Sequence, residues 1–347
     1  MKKKINLGKI GNVYGKIVVV HDIKRKLYMI FTGTFSALIV VYVIIDTERK
    51  FAISFLPLAL SLFLLLWSCI IPGYNINVIK LRDFFDKKTL YKLFLLLYPL
   101  LIYSLSLANQ LKFWGMHLVY FFAYISFPAL LLFIADKTSE NIQKIIEIFI
   151  AIALWIPFDH RYYRLFWPGK FFHGYNFTSL MVVLMIIILF LVLKKEDIGY
   201  NFIPNKLDFF LIAILTLGIS IIVIPLGLLT GFLKFKADIK LEFFHILAFV
   251  GIFLTIGLVE EVIFRGIIQN LLEKIFKSHL PALLTTSVLF GLTHWNNADP
   301  GFTLHYIFLA SIAGIFYGIA YKKSGSLFPA IFVHSLIDTL WLILFVK

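Results

Sequence analysis

The sequence contains a single cysteine, Cys69, which excludes an intrachain disulfide. Charged residues are also scarce: they make up 15% of the 347 residues, whereas 61% are hydrophobic, which excludes an ordinary soluble globular composition. Acidic residues are the rarer charge, and the formal net charge is +14. The basic residues lie between apolar runs and never form one long patch, so nucleic acid is not an expected partner. We therefore expect a polytopic protein that contacts a lipid bilayer, with its basic loops sorted by the positive-inside rule.

Eleven apolar runs follow one another along the chain, and most are long enough to span a bilayer as helices. They predict an all-α fold, a polytopic transmembrane helical bundle of about 10–11 spans. The first run has no small-residue cleavage site after it, which favours a retained span over a signal peptide. The fifth run is the weakest of the eleven. The runs are 27–45, 51–71, 90–107, 113–135, 142–158, 177–193, 209–229, 243–276, 281–295, 302–321 and 327–346.

The spacing of these runs divides the chain into three parts. Residues 1–26 carry eight Lys or Arg and are expected to form a basic cytoplasmic leader, partly at the membrane interface. Residues 27–200 form an N-terminal transmembrane extension of unknown role. A linker with Pro and Asn separates it from a third part, 205–347. The aromatic, basic segment 160–175 is interpreted as a loop in the interfacial belt.

Orientation follows from the basic residues of alternating loops. Up to residue 144 they number 14 on the side of the N-terminus and three on the other, which predicts a cytoplasmic N-terminus. Further along the chain the count is eight against seven, if the weak run 142–158 spans. Arg265 is counted there as a loop residue. We expect an integral, multi-pass protein in the cell membrane of a prokaryote, with the topology of the second half dependent on that run.

Three ionisable residues, Glu260, Glu261 and Arg265, lie inside one apolar run. Ionisable groups in a bilayer core cost several kcal/mol each and are usually functional. Glu261 and Arg265 are four residues apart, so they share a helix face and can pair. Glu260 is about 100° further round and has no local partner. It is therefore the residue that needs an explanation.

Two further polar pairs have helical spacing inside later apolar runs: Phe290 with His294, and His334 with Asp338. If the chain turns near Ser278 and again near Lys322–Ser324, Glu260 and His294 lie about 24–27 Å from one membrane face. His334 and Asp338 then lie about 15–21 Å from the same face. Three helices are thus expected to bring these groups to neighbouring layers of one bundle.

These segments resemble the motifs of the CPBP family, which comprises CAAX prenyl endopeptidases and bacteriocin-processing enzymes and is also called Abi. Glu260, Glu261 and Arg265 match its first motif, Phe290 and His294 its second, and His334 with Asp338 its third. The runs 313–318 and 326–330 are also similar to the family. The resemblance covers residues 205–347, which it implies are an intramembrane catalytic domain.

The resemblance implies an endopeptidase in which Glu260 activates water and His294 helps to hold it. His334 and Asp338 would occupy the positions that stabilise the oxyanion of the tetrahedral intermediate. The family more commonly has an amide at the position of Asp338, and an ionised aspartate would repel an oxyanion. Either Asp338 is protonated, or it orients a protonated His334 as the donor, which the i,i+4 spacing favours. Glu261 is interpreted as the structural partner of Arg265.

A metal is a second way to use the same residues. Glu260, His294 and His334 could form a zinc site of two histidines and one carboxylate, with a free position for water. The chain has no His-Glu-x-x-His helix, the stronger zinc signal, and family members have been interpreted both as metalloproteases and as glutamate-type enzymes. We favour the metal-independent interpretation.

Two other classes of function fit the same residues. One is a non-proteolytic bacteriocin-immunity or scaffold protein of the same family, and the other is a proton-coupled transporter, although no symmetric halves are evident. The expected partner of a protease is a membrane-associated protein or peptide, processed at a CAAX-type end, a leader or a sorting tail. Four more polar residues have no second polar residue at helical spacing that would form a site with them, and they are expected to be structural: His117, Asp159, His245 and His305.

Overall fold

The structure, a computed structural model, describes residues 7–51, 56–108, 115–160, 162–165 and 174–346. These residues form helices joined by short turns, and their only β-type contact is one isolated bridge between Phe235 and Phe345. The predicted all-α fold is therefore confirmed. Residues 1–6 of the predicted leader and most of the predicted interfacial loop 160–175 lie outside the described residues.

Twelve helices are described, which we number α1 to α12 in chain order. Three short 3-10 turns are also present: Ile71–Gly73 follows α2, Tyr162–Leu165 follows α6, and Pro300–Phe302 precedes α11. The helices are α1 Leu7–Phe51, α2 Leu56–Ile70, α3 Asn75–Asp86, α4 Thr89–Ser106, α5 Gly115–Ala135, α6 Glu140–Asp159, α7 Gly174–Ile186 with a π-helical end Ile187–Leu193, α8 Lys206–Leu229, α9 Phe243–Phe276, α10 His279–Leu292, α11 Thr303–Ser324 and α12 Leu327–Leu344.

Ten of the described helices are long and apolar enough to cross a membrane, which agrees with the predicted 10–11 spans. The weak run is among them, because α6 extends it to 20 residues. Helix α10 is apolar but shorter, with 14 residues. Helix α3 has no counterpart in the predicted spans, since its 12 residues include charged side chains. Helix α1 is continuous from Leu7, so the leader and the first span share one helix.

The turns that set the depth of the site lie close to where the sequence predicts them. Helix α9 ends at Lys277, whose φ of 53° is left-handed and stops the helix. Helix α11 ends at Gly325, where a φ of 67° favours glycine over any residue with a Cβ. Helix α8 begins with a reciprocal capping box between Asn205 and Asp208. The polar segments of α9, α10 and α12 therefore lie at defined distances from these helix ends.

Helix α9 is the central helix of the bundle. Its 34 residues would extend about 50 Å as a straight α-helix, more than the ~30 Å of a bilayer core, so the helix tilts or extends beyond that core. Every residue from Val262 to Gln269 is buried. Two π-helical stretches, Phe253–Gly257 and Val262–Gln269, flank a single α-helical turn that carries Glu260 and Glu261. π-helical turns are frequent at functional sites.

Glycines allow the helices around α9 to approach closely. A Cβ on Gly257 of α9 would lie 2.5 Å from Ser335 Oγ and 3.2 Å from the Ile331 carbonyl oxygen of α12. A Cβ on Gly291 of α10 would overlap Ser311 of α11. Small residues at such contacts are the usual way for transmembrane helices to pack. The site is therefore built where backbones are in near contact.

The loops after α2, α5, α7, α9 and α11 gather at one end of the bundle. The linker 194–205, which the sequence suggests as a flexible boundary, is fixed there by backbone hydrogen bonds. Its Gly199 carbonyl accepts from Leu327 N at 2.8 Å, and Phe202 N donates to the Gly73 carbonyl at 2.7 Å. Ion pairs join the same loops: Lys194–Asp136 at 2.7 Å, Lys274–Glu196 at 2.5 Å and Lys322–Glu273 at 2.5 Å.

Candidate active site

The predicted pair of Glu261 and Arg265 is present on α9. Arg265 Nε lies 3.2 Å from Glu261 Oε2, and neither side chain is exposed. Arg265 also donates from Nη2 to the Gly314 carbonyl of α11 at 3.1 Å. Its guanidinium lies over the rings of Phe290 (4.7 Å) and Tyr317 (5.5 Å). Arg265 is therefore a buried link between three helices, and counting it as a loop residue was wrong.

Glu261 has a second partner that the sequence does not predict. Its other oxygen, Oε1, lies 2.8 Å from His334 Nδ1 on α12. Because an ionised carboxylate only accepts, Nδ1–H is the donor, and the hydrogen bond fixes which ring nitrogen faces Glu261. Glu261 thus connects Arg265 to His334 and is more than the partner of Arg265. The two residues are 73 positions apart, so no local spacing could reveal the contact.

The other nitrogen of His334, Nε2, faces two carboxylates. It lies 3.5 Å from Asp338 Oδ2 and 3.8 Å from Glu260 Oε2. The predicted contact between His334 and Asp338 is present, but both distances exceed those of a full N–H···O hydrogen bond. Tyr317 stacks on the imidazole at 4.7 Å and 6°. Glu261 and Tyr317 therefore orient the ring, and Nε2 keeps its capacity to bind another group.

Glu261 Oε2 makes no hydrogen bond with any described residue but is ion-paired with Arg265 at 3.2 Å, whereas Glu260 has no described basic partner as near, His334 Nε2 lying 3.8 Å from it. Glu260 Oε2 accepts no hydrogen bond from any described residue, although it is buried. Side-chain exposure rises from 0% at Glu261 and Arg265 to 12% at Glu260 and 36% at Asp338. The site is therefore closed around the Glu261–Arg265 pair and open on the side of Asp338.

His294 lies just beyond the end of α10, which stops at Leu292 and not at Trp295 as predicted. Its Nδ1 lies 3.1 Å from the Phe290 carbonyl oxygen, which favours a proton on Nδ1 and a free lone pair on Nε2. The Phe290 ring contacts both His294 (5.1 Å) and His334 (5.6 Å). No described hydrogen bond or ion pair joins His294 to Glu260, but His294 is within electrostatic range of His334 and Asp338. The six predicted residues therefore converge on one region, with His294 at its edge.

A polar cavity of about 720 Å³ adjoins this edge. Its wall includes Tyr306, whose ring is 4.8 Å from His294, and Trp341, whose ring is 5.5 Å from Tyr306. Loop residues on the end of the bundle opposite the linker 194–205 complete it, among them Lys234, Asn297 and Asp299. The cavity therefore extends from this end of the bundle to Tyr306, whose ring contacts His294.

Asp159, for which the sequence pattern shows no polar partner, lies near other polar residues in the structure. It ends α6, lies 3.1 Å from His160 Nδ1 through Oδ2, and is within electrostatic range of Glu260. The expectation that no polar group lies near it is wrong, because tertiary packing brings α6 against α9, whereas its structural role stays a prediction. The three histidines of that group lie elsewhere. His117 Nδ1 contacts the Leu165 carbonyl, His245 Nδ1 accepts from Glu242 N, and the ring of His305 packs on Phe302.

The predicted zinc ligands do not fit a metal site as they lie. No three His, Cys, Asp or Glu side chains within the described ranges form an arrangement that could hold a metal ion. His334 and His294 each use Nδ1 in a hydrogen bond, to Glu261 and to a backbone carbonyl, so only their Nε2 atoms could bind a metal. We therefore derive no step through a metal, and metal independence stays a prediction. Zinc bound stoichiometrically and lost together with activity on chelation would contradict it.

Comparison with known families bears directly on this site. Residues 242–340 match the Rce1-like family of type II CAAX prenyl endopeptidases. The matched segment contains all six predicted site residues, and it confirms the resemblance to the CPBP family. Comparisons with curated proteins and with solved structures give no significant match.

The match has a limited extent. It begins after α8, so the predicted boundary at residue 205 stays a prediction, as does the separate role of residues 27–200. The Rce1-like segment supports a protease of the CAAX type in general, carried by an integral, multi-pass membrane protein. The roles of individual residues, the substrate and the need for a metal go beyond it.

Proposed function

We propose that this protein is an intramembrane endopeptidase that hydrolyses a peptide bond of a membrane-associated protein or peptide with water activated by Glu260. One observation carries the proposal: the unsatisfied oxygen of Glu260 and the uncommitted Nε2 of His334 lie 3.8 Å apart at the open edge of a buried charge network. At that separation a single oxygen atom can lie within hydrogen-bond reach of both. The Rce1-like match supports the same activity.

In the proposed reaction, Glu260 is the general base. It removes a proton from water as the water oxygen attacks the carbonyl carbon of the scissile peptide bond. The carbonyl π electrons move onto oxygen and give a tetrahedral oxyanion. The protonated Glu260 then delivers its proton to the amide nitrogen, the C–N bond breaks, and a carboxylate product and an amine leave. One water is consumed, and no oxidant, reductant or covalent enzyme intermediate is needed.

His334 is the proposed donor to the oxyanion. Its Nδ1–H is bonded to Glu261, so a protonated ring would direct Nε2–H towards the reacting carbonyl oxygen. Asp338, at 3.5 Å, favours the protonated ring without occupying Nε2 in a full hydrogen bond. Arg265 neutralises Glu261 behind the ring, and Tyr317 keeps the ring plane fixed. This division of roles shifts the orienting function from Asp338, as first expected, to Glu261.

His294 is the proposed second ligand of the water. With its proton on Nδ1, its Nε2 lone pair can accept one hydrogen of the water while Glu260 takes the other. The adjoining cavity of about 720 Å³ supports entry of a polar peptide segment from the end of the bundle. A substrate anchored in the membrane would thus offer a bond just inside that end. CAAX-type ends, leader peptides and sorting tails all meet this description.

The orientation is also proposed. If the N-terminus is cytoplasmic, as predicted, the basic loops after α2, α5, α7, α9 and α11 are cytoplasmic too. The cavity lies at the other end of the bundle, so it opens on the outer side of the cell membrane of a prokaryote. The only cysteine is buried, which provides an unreactive background. In intact cells, Asn297→Cys should react with a membrane-impermeant maleimide, and Lys323→Cys should react only after permeabilisation. The reverse pattern would contradict this orientation.

The activity is tested in cells by comparing the membrane proteome of the wild type with that of Glu260→Ala. At least one membrane protein should lose a terminal fragment in the wild type and retain it in Glu260→Ala. Equal expression and equal thermal unfolding of the two purified proteins control for misfolding. If Glu260→Ala and His294→Ala leave every membrane protein processed as in the wild type but still protect cells from a bacteriocin, the protein is the non-proteolytic alternative.

A further inference from the structure

Helix α6 belongs to the part of the chain outside the family match, yet its end lies against the candidate active site. Trp155 of α6 packs edge-on against Phe264 of α9, with ring centroids 5.8 Å apart. Asp159 is one turn beyond Trp155, and Glu260 is one turn before Phe264. Since residues four apart share a helix face, Asp159 and Glu260 extend from that contact on facing surfaces. Their electrostatic interaction agrees with this arrangement.

The residue after Asp159 is held by two aromatic rings. His160 stacks on Tyr162 at 6.0 Å and contacts Trp295, which directly follows His294, at 6.5 Å. The imidazole therefore touches the α10 side of the site, while Asp159 faces the α9 side. The Asp159–His160 pair forms a wall of the site that the Rce1-like segment does not supply.

Asp159 also has spare hydrogen-bonding capacity. Its side chain is only 12% exposed, and its Oδ2, although 3.1 Å from His160 Nδ1, makes no hydrogen bond of acceptable geometry with any described residue. Glu260 Oε2 likewise makes no hydrogen bond with any described residue. Four carboxyl groups thus meet one arginine, Arg265, and three histidines, His160, His294 and His334. The site has a surplus of acceptors, and a ligand that brings N–H donors would complement it.

A peptide in an extended conformation brings such donors. Its main-chain N–H groups lose water on entering a membrane-embedded site, and an unsatisfied one costs several kcal/mol. On the basis of the function proposed above, we propose that Asp159 is a substrate-positioning residue that accepts a main-chain N–H of the bound peptide. His160, fixed by Tyr162 and Trp295, holds the carboxylate in place. The N-terminal extension would then complete the substrate site and not only stabilise the bundle.

A purely structural role predicts something different. If the Asp159–His160 pair only terminates α6, replacing Asp159 lowers the unfolding temperature and leaves the affinity for peptide unchanged. If Asp159 binds the peptide, an isosteric apolar residue should weaken binding, whereas an amide should largely restore it, because the Asn side-chain oxygen still accepts a hydrogen bond. The contrast between Asp159→Leu and Asp159→Asn therefore separates the two roles.

The experiment uses the full chain in lipid vesicles and a fluorogenic, farnesylated CAAX peptide. Relative to wild type, Asp159→Leu should raise KM about ten-fold or more and change kcat less, the loss of one hydrogen bond to a charged group being worth ~1.5–3 kcal/mol. Asp159→Asn should stay within about three-fold of the wild-type KM. Asp136→Asn, in the turn that precedes α6 and paired with Lys194, is the matched control and should not change KM.

A binding measurement separates failure of this inference from failure of the proposed function. In a Glu260→Gln background, which should not cleave, the dissociation constant of the same peptide should rise about ten-fold on adding Asp159→Leu. If the wild type cleaves the peptide and Asp159→Leu leaves both KM and the dissociation constant unchanged, the inference is wrong and the proposed function stands. A wild type that neither binds nor cleaves any membrane-anchored peptide overturns both.

Discussion

Two clusters of charge, one at the loop end of the bundle and one in its interior, differ in how completely they are paired. At the loop end, Glu147 is 2% exposed and lies 3.1 Å from Lys194, which also pairs with Asp136. The Lys194 ammonium thus has a carboxylate on each side. In the interior, Glu260, Glu261, Asp338 and Asp159 lie near Arg265 and the histidines His160, His294 and His334.

The difference separates a structural cluster from a chemical one. A paired cluster near the loops holds α5, α6 and α7 together and leaves nothing to react. An excess of acceptors inside the bundle is costly unless water or a ligand uses it. The unsatisfied oxygens of Glu260 and Asp159 are therefore groups that a water or a ligand could use.

The largest effect on stability is expected from breaking the interior pair. Arg265→Met leaves Glu261 Oε2 buried without its guanidinium partner and should destabilise the protein by about 3–5 kcal/mol, measured by denaturant-induced unfolding in detergent. Lys322→Met breaks a partly exposed pair with Glu273 and should cost only about 0–1 kcal/mol. Equal losses in the two variants would show that burial does not distinguish these pairs.

Replacing a histidine is expected to change activity and not stability, and only when that histidine lies in the candidate active site. His294→Ala should lower kcat for a cleaved peptide by about 100-fold or more, because it removes a ligand of the water. His117→Ala, whose ring contacts a loop carbonyl far from the site, should leave kcat unchanged. Equal changes in kcat for the two variants, with thermal unfolding as in the wild type, would contradict the proposed role of His294.

Sequence patterns predict much of this architecture. The apolar runs define nearly all the described helices, since most of them are long enough to span a bilayer. The turns at Lys277 and Gly325 lie within a residue or two of their predicted positions, which is why Glu260, His334 and Asp338 could be placed at similar depths. The Glu261–Arg265 pair follows from helical spacing alone.

Contacts between distant parts of the chain could not be predicted in this way. The bond from Glu261 to His334 depends on how α9 and α12 rotate about their axes, and two π-helical stretches alter that rotation in α9. The approach of Asp159 to Glu260 depends on α6 packing beside α9. An aspartate next to a histidine at the end of an apolar helix was the only local signal, and such pairs are common at helix ends.

The central claim is that Glu260 is the general base, and one measurement tests it most directly. The rate of cleavage of the farnesylated CAAX peptide is compared for wild type, Glu260→Gln and Glu147→Gln in lipid vesicles, with the folded fraction of each measured in parallel. Glu260→Gln should remain folded and lose on the order of 100- to 10,000-fold in kcat, whereas Glu147→Gln should retain wild-type kcat. A folded Glu260→Gln that cleaves the peptide at the wild-type rate would contradict the account.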